Sequence, residues 1–355
     1  MRIEHLIHSL DPRTGGVFSA VDKLSIALRE KGVDSVLVAN PEEVSSSPKT
    51  MLVAHGLWQW PGARALQVFQ ASGTPYLVYP HGMLDPWFKR TYPLKHIKKQ
   101  LYWWWRQGRI MHNARAVCFT TEEELRLARG TFSPYQCRQK VTGLGVNEPP
   151  GEKETQVGEF FARFPQLQGR RILLYLGRFH PKKGLDDLIR AWKFSQLRDG
   201  EVLVLAGPLD EKTPWLEKLQ ALAGGDSSIF WTGMLEGHLK WAALRAADAL
   251  ILPSHQENYG MVVAEACSVG RPVYLTNKVN LWREIKDSEA GKVEEDTFEG
   301  IQNLVGQWAA IPAHTLSENA RRCFEQKLHI SRAADSLLHI LNENVSWKNE
   351  LIGGI

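Results

Sequence analysis

The chain reads as an α/β protein of two doubly wound, Rossmann-like domains, and three observations carry that expectation. Apolar, strand-sized runs alternate with amphipathic helical segments along nearly all of its 355 residues, the pattern of parallel sheets covered by helices. That length suffices for two hydrophobic cores. The alternation pauses once, over residues 140–153, where KVTGLGVNEPPGEK is rich in Gly, Pro and charge, the composition of an interdomain connection. The expected division is therefore 1–150 and 151–355, with the last helix able to cross back to the N-terminal domain. Two such domains would face each other across a cleft, where sheets of this kind take their ligands.

The elements follow in order. Ile3 to Ile7, Ser35 to Ala39, Met51 to Ala54, Tyr76 to Tyr79 and Ala116 to Thr120 are short apolar runs and read as strands. Val17, Val21, Leu24 and Leu28 recur at helical spacing, so a helix is expected over residues 17–30, stopped by Lys31-Gly32. After the connection the strands restart at Ile172 to Leu176, Val202 to Ala206, Ile229 to Thr232, Ala249 to Leu252 and Val273 to Thr276. A helical stretch from about Leu316 to Trp347 closes the chain. Neither an internal repeat nor a low-complexity tract interrupts this order.

Composition narrows the class. Hydrophobic content of 43% and charged content of 23% are those of an ordinary soluble protein. The longest apolar runs fall far short of a membrane span. The start, MRIEHLIHSLDPRTGG, lacks the pattern of a signal peptide, so a cytoplasmic location is expected. Cys118, Cys137, Cys267 and Cys323 show no paired spacing and read as reduced thiols rather than disulfides or zinc ligands. A net charge of +4 suits anionic ligands but is too small to argue for nucleic acid.

The most informative stretch runs from Leu252 to Pro272, LPSHQENYGMVVAEACSVGRP. Glu257 sits in a loop that passes through Asn258, Tyr259 and Gly260 into an apolar run that starts a helix, and Glu265 lies within that helix. Free amides at such a helix start favour an anion, while the two carboxylates can grip separate hydroxyl pairs. A nucleotide sugar has hydroxyls at both ends and a diphosphate between. Earlier, the strand at Ile172 leads into GRFHPKKG, which places Arg178 and Lys183 between a strand's C-terminal end and a helix, where a forked guanidinium and an ammonium can hold phosphate. Alone, these cations read equally as solvated surface charges; joined to the glutamates they make a site.

These blocks together resemble glycosyltransferase family 4, the retaining, nucleotide-sugar-dependent transferases of the GT-B fold. The resemblance is carried by GRFHPKKGLDDLIRAW, LAGP at Leu205, FWTG ending at Gly233, PSHQENYGMVVAEACSVGRPV, HGLW at His55 and PHGMLDPW at His81, and it covers most of the chain. It implies that Arg178 and Lys183 hold the donor diphosphate and that Glu257 faces the transferred sugar. It further implies that the amides of Asn258, Tyr259 and Gly260 meet sugar and phosphate, and that Glu265 binds the ribose. Position 258 is often Gly in the family, and Asn there tolerates the same left-handed backbone. His81 matches the family histidine that contacts the donor sugar near the reacting centre, with His55 a secondary choice. The DPRTGG loop, with Gly15 and Gly16, reads as a tight turn or as a donor phosphate loop, and the family favours the second.

No Asp-x-Asp pair of the kind that holds a metal in many nucleotide-sugar enzymes occurs. Fixed cations beside the phosphate can stabilise the departing charge instead, so no metal or other cofactor is expected. The expected partners are a nucleotide sugar, with UDP and GDP both open, and a glycan or lipid-linked glycan acceptor of polysaccharide or lipopolysaccharide biosynthesis. Rival readings are a nucleotide-sugar epimerase of the same fold and an inert nucleotide-sugar-binding module. A dehydrogenase is disfavoured because no Gly-x-Gly-x-x-Gly follows the first strand.

Two further segments are read structurally first. Thr121 and Glu124 form a capping box after the strand at Ala116. Residues 86–113 hold seven basic residues, Lys89, Arg90, Lys95, Lys98, Lys99, Arg106 and Arg109, and no acidic one. At helical spacing Lys95, Lys98, Lys99, Arg106 and Arg109 share one face, with Ile97, Leu101 and Trp104 opposite. Such a helix either packs its apolar face on the core or lies on an anionic membrane. The family's work on membrane-bound glycans favours a peripheral place on the inner face of the plasma membrane.

Overall fold

The computed structural model describes residues 2–11, 16–47, 49–195, 197–209, 213–312 and 314–343. The chain divides into two compact units, Met1–Gly145 with the segment from Ile330, and Val146–His329. The division falls inside the connecting stretch, at 145/146.

The first unit is built on β1 (Arg2–Leu6), β2 (Asp34–Val38), β3 (Thr50–His55), β4 (Tyr76–Tyr79), β5 (Ala116–Phe119) and β6 (Gln139–Val141), in the spatial order 2-1-3-4-5-6. All its pairings are parallel, with Ile3 opposite both Ser35 and Met51. Its helices are α1 (Gly16–Glu30), α2 (Trp60–Ser72), α3 (Trp87–Thr91), α4 (Pro93–Tyr102), α5 (Gly108–Asn113) and α6 (Glu122–Ala128). One face of the sheet is covered jointly by α1 and the returning α15 (Ile330–Asn342), whose Ile330, Leu337, Ile340 and Leu341 pack with Ile3, Leu24, Leu28 and Val53. Each such side chain contributes about 1.5–3 kcal/mol by burial. Arg115 fastens the end of α15, its guanidinium donating to the carbonyls of Ile340, Leu341 and Glu343 at 3.3, 3.1 and 2.9 Å.

The second unit holds β7 (Arg171–Leu176), β8 (Glu201–Ala206), β9 (Ile229–Gly233), β10 (Ala249–Leu252), β11 (Val273–Thr276) and β12 (Gly291–Glu294), ordered 12-11-10-7-8-9 and again all parallel. Its helices are α7 (Lys153–Arg163), α8 (Leu185–Phe194), α9 (Pro214–Ala223), α10 (Gly237–Ala246), α11 (Met261–Ser268), α12 (Trp282–Asp287), α13 (Phe298–Ala310) and α14 (His314–Cys323). In each sheet the chain winds outward from a central strand, returns and winds the other way. The reversal lies between β1 and β3 in one unit and between β7 and β10 in the other. At such a point the loops leaving neighbouring strands diverge and open a crevice.

The strands expected from the sequence all form, several with the same bounds. β6 and β12 were not expected. Both lie at sheet edges, and QKV and GKVE carry the charge and short length that edges tolerate, so neither shows an apolar run. The closing helical stretch is broken: α14 passes through a π turn, Phe324–Leu328, and extended His329 before α15. Trp347, the expected end of that stretch, lies outside the described residues. The four cysteines are free thiols. No helix among the described residues is long and apolar enough to cross a membrane.

α4 corrects the core-packed reading of the basic aromatic segment. None of its residues is buried. Leu94, Ile97, Leu101 and Trp104 are exposed by 78%, 57%, 57% and 60%, so the stripe that should have met the core faces solvent. The segment is held instead by Trp103, buried in the π turn Trp103–Gln107, stacked on Phe132 at 4.9 Å and donating its indole N–H to Pro134 at 2.7 Å.

Candidate functional site

In the second unit, the loops that leave β7 and β10 are laced together at the switch point. From β7 the chain runs through Gly177 and Arg178 into a short 3-10 turn, Pro181–Lys183, and then α8. From β10 it runs through Pro253–Asn258 into α11. The amide of His255 donates to the carbonyl of Lys182 at 2.8 Å, and Lys182 Nζ donates to Gln256 Oε1 at 3.3 Å. Gly184 permits this approach. Its φ is +64°, and a Cβ there would collide with the Pro253 carbonyl oxygen, so only glycine serves.

The lacing brings Lys183 against Glu257: Nζ donates to Oε2 in a pair whose side chains are only 11% and 20% exposed. The Glu257 backbone is pinned by Lys278 and Asn280, each through a 3.0 Å hydrogen bond. So enclosed a pair adds little net stability, because desolvating both ions offsets their attraction, whereas removing one partner strands a charge. The sequence reading gave Lys183 to phosphate and Glu257 to sugar separately; the geometry makes them one unit. Arg178 lies on the same loop with its side chain exposed, and its carbonyl accepts the Tyr175 hydroxyl at 2.8 Å.

α11 begins at the left-handed Gly260, φ +70°; the Val263 amide donates to the Gly260 carbonyl at 2.7 Å, while the amides of Met261 and Val262 precede the first helical carbonyl that could take them. Asn258 Oδ1 accepts from Asn280 Nδ2 at 3.3 Å. Tyr259 points its ring inward: burial first, then the nearby Glu284, Cys323 and Cys267, hold its hydroxyl well above the ordinary tyrosine range. That residue offers the loop its backbone only. Glu265 is buried and meets Lys240 Nζ of α10 at 2.6 Å. Lys240 was not foreseen, since no local pattern links it to a glutamate 25 positions on.

Among the described residues, one group of three side chains has the spacing to hold a metal, Asp186, Asp187 and His255, with ligand atoms within 4.8 Å of one another. Each already has a partner: Asp186 has Lys218 at 3.0 Å, Asp187 has Arg190 at 3.5 Å and His255 has Asp296 at 2.6 Å. The hydrogen bond that the His255 ring donates to Asp296 raises the His255 pKa.

The switch point of the first unit carries a chain of histidines. His5 Nδ1 meets His55 Nε2 at 2.9 Å, and His55 Nδ1 meets His81 Nε2 at 2.9 Å. Burial is the main cause that keeps all three neutral. It lowers His81 to about 4; with the Arg29 charge it lowers His5 to about 3; and with His5 and His81 as neighbours it holds His55 well below 6.5. Each neutral ring carries one N–H, so the two bonds lock the three tautomers together. Either every ring carries its proton on Nδ1 and His81 keeps an N–H beyond the chain, or every ring carries it on Nε2 and His81 keeps a bare Nδ1, which leaves the buried His5 Nε2–H without a partner. Both forms can bind a hydroxyl. His55, the secondary choice, is thus the link that orients His81.

The turn bearing His81 is unusual, with φ +49° at His81 and +76° at Gly82. Glu124 holds it. The capping reading survives in half: Thr121 Oγ1 accepts from the Glu124 amide at 3.0 Å. The buried Glu124 carboxylate, however, takes the Gly82 amide at 2.6 Å, the Thr120 amide at 2.7 Å and the Thr120 hydroxyl at 2.6 Å. A cavity of about 120 Å³ opens alongside, lined by Ile7, Ser9, Val17, His55, Gly56 and Met83 among others. Gly16 is the first residue of α1 and has open space where a Cβ would stand, while Gly15 lies outside the described residues.

Two family models match this chain: "Glycosyl transferases group 1" over residues 158–322 and "Glycosyl transferase 4-like domain" over residues 44–145. Between them the two matches take in most of both units, on a fold shared with GT-B glycosyltransferases. Among curated relatives, it is 32% identical over 130 residues to a D-inositol 3-phosphate glycosyltransferase of Acidothermus cellulolyticus, covering 34% of this chain and 29% of the relative. It is 32% identical over 133 residues to a glycogen synthase of Mycobacterium tuberculosis, covering 37% and 32%. The matched stretch thus spans about a third of these relatives. Among solved structures, sucrose-phosphate synthase of Thermosynechococcus elongatus superposes with a TM-score of 0.72 at 18% identity over 100% of both chains. HepE of Anabaena, in complex with UDP and glucose, gives 0.72 at 13% over 97% and 100%. At these identities the structures show the fold.

The depressed histidines set a pH dependence with a definite sign. An unfolded chain takes up protons at these positions below about 6.5 that the folded chain refuses. Their stabilising contribution is therefore complete above 6.5 and falls as pH drops toward 4. The imidazole resonances of His5, His55 and His81 should stay flat from pH 8 to 5, and the thermal midpoint should fall across the acid half of that range. A titration midpoint near 6.5 for His81 would contradict the buried chain.

Proposed function

We propose that the protein moves a hexose-type sugar from a nucleoside diphosphate to a hydroxyl of a glycan acceptor in cell-surface polysaccharide or lipopolysaccharide synthesis, with retention at the anomeric carbon. The observation that carries the reading is the Lys183–Glu257 pair set beside the α11 N-terminus at the β7/β10 switch point. A diphosphate there takes Arg178, Lys183 and the first-turn amides of α11. Lys183 then shifts its hydrogen bond from Glu257 to a phosphate oxygen, so the donor itself releases the carboxylate. Glu257 orients sugar hydroxyls and stabilises the positive charge that builds on the ring as the diphosphate leaves. Glu265, held by Lys240, accepts from the ribose hydroxyls. The departing phosphate oxygen takes the acceptor's proton, and attack comes from the face that it leaves. Neutral His81 binds a sugar hydroxyl, and the first unit serves the acceptor. The likeness to HepE, which binds UDP and glucose, supports a glucose-like donor; UDP and GDP are both compatible with these residues.

Lys183→Ala and Glu257→Ala should each lower turnover by about 100-fold or more, with the far-ultraviolet circular dichroism kept. Activity should persist in excess EDTA, because the cations that face the leaving group belong to the chain. The released glycoside should keep the donor's anomeric configuration by NMR. Wild-type rates in both variants would overturn the assignment, and isomerised donor in the absence of acceptor would establish the epimerase instead.

The exposed stripe of α4, ringed by basic side chains without an acidic residue between 86 and 113, supports peripheral association with an anionic bilayer. Apolar side chains and indoles enter the interface while lysines meet the headgroups. In flotation assays the protein should rise with phosphatidylglycerol vesicles and stay down with phosphatidylcholine, and Leu94→Glu with Leu101→Glu should abolish the rise. Equal behaviour on both vesicles would remove the idea.

A further inference from the structure

Beneath α4, on the side away from the exposed stripe, lies a second cavity of the first unit, of about 230 Å³. Its wall is mostly aromatic and apolar, made by Phe88, Tyr92, Phe132 and Met83 with His96 and Thr131, and two lysines, Lys95 and Lys99, line it as well. Lys99 Nζ stands 4.9 Å above the Trp58 ring and 5.8 Å from that of Phe88, and Lys95 Nζ stands 4.9 Å above Tyr92. Among the described residues no carboxylate pairs with either lysine, and residues 86–113 supply none. Burial, and then the Lys95 charge, lowers the Lys99 pKa. Two like charges crowded against an apolar wall are a cost, and an anion placed between them relieves it.

The chemistry of the wall says which anion. A free inorganic anion would leave the aromatic surface unused, and an uncharged hydrocarbon would leave the ammonium groups unpaired. The volume is below the range of roughly 300–1,000 Å³ that encloses a drug-sized ligand, so it holds a headgroup and the first carbons of a chain. Met83 lines both this cavity and the one beside His55 and Gly56, so an anion bound here is one side chain away from the histidine-lined crevice of the same unit.

We propose that this cavity binds the phosphate of a phosphorylated lipid, with Lys95 and Lys99 as the phosphate ligands and the aromatic wall against the first carbons of the hydrocarbon. The role it implies, an acceptor anchored through its lipid phosphate, rests on the transferase reading above; the binding itself does not. The test is therefore made without sugar donor. Geranyl phosphate, inorganic phosphate and geraniol are titrated into the 355-residue chain by calorimetry, with tryptophan fluorescence, compared with that of a Trp58→Phe variant, as a second signal. Geranyl phosphate should bind at least tenfold more tightly than either of the others. Lys95→Gln and Lys99→Gln should each weaken it at least fivefold, with unchanged thermal midpoints. Lys95 is exposed, so its variant keeps the test decisive if Lys99→Gln fails to fold. Undiminished affinity in the Lys95→Gln variant would overturn the proposal. So would equal binding of inorganic phosphate, which would make this a plain anion site, or an absence of binding by geranyl phosphate.

Discussion

A lysine from the loop after β7 and a glutamate from the loop after β10 share a hydrogen bond at the one place in the second sheet where the chain reverses its winding. Much of the local structure exists to permit that contact. Gly184 leaves room for the Pro253 carbonyl, the His255 amide ties the loops, and Lys278 and Asn280 grip the backbone of Glu257. The energetic sense of such a pair is poise rather than stability. Each ion is desolvated and satisfied mainly by the other, so a ligand that brings phosphate to the lysine and hydroxyls to the glutamate exchanges one set of bonds for two. Lys240 and Glu265 repeat the arrangement on the neighbouring helices.

The first unit answers the same topological opportunity with neutral groups. Its switch point holds three imidazoles in one hydrogen-bonded chain, buried deeply enough to exclude protons at neutral pH. One unit therefore offers fixed charge and the other fixed, uncharged hydrogen bonding. Glu124 supports this neutral chain from outside it, because its carboxylate holds the turn on which His81 sits in a left-handed conformation.

Legibility in the sequence followed burial. β4, β10 and β11 are buried along their whole length, and their continuous apolar runs gave bounds that match to the residue. β6 and β12 stand at edges, where charge is tolerated and the apolar signal vanishes. The placement of Arg178 and Lys183 after β7, and of Glu257 on the turn into α11, was legible because each group shares one loop and its motif. The site was illegible where two distant segments meet. Neither the separation of His5 from His55 nor that of Lys240 from Glu265 leaves any local periodicity. Glu124 satisfied a capping pattern, yet the approach of the His81 turn redirected its carboxylate. The spacing in α4 located an apolar stripe correctly; which side of a helix the core occupies is decided by its neighbours, and here Trp103 took that role.

The account depends most on an anion being received at the β7/β10 switch point. Hydrogen–deuterium exchange of the protein with and without a nucleoside diphosphate measures this directly, since amides that bond a phosphate are protected. Protection confined to residues 177–184 and 257–263 is the predicted result. Binding that leaves those two segments unprotected, or that protects other loops in their place, would contradict it.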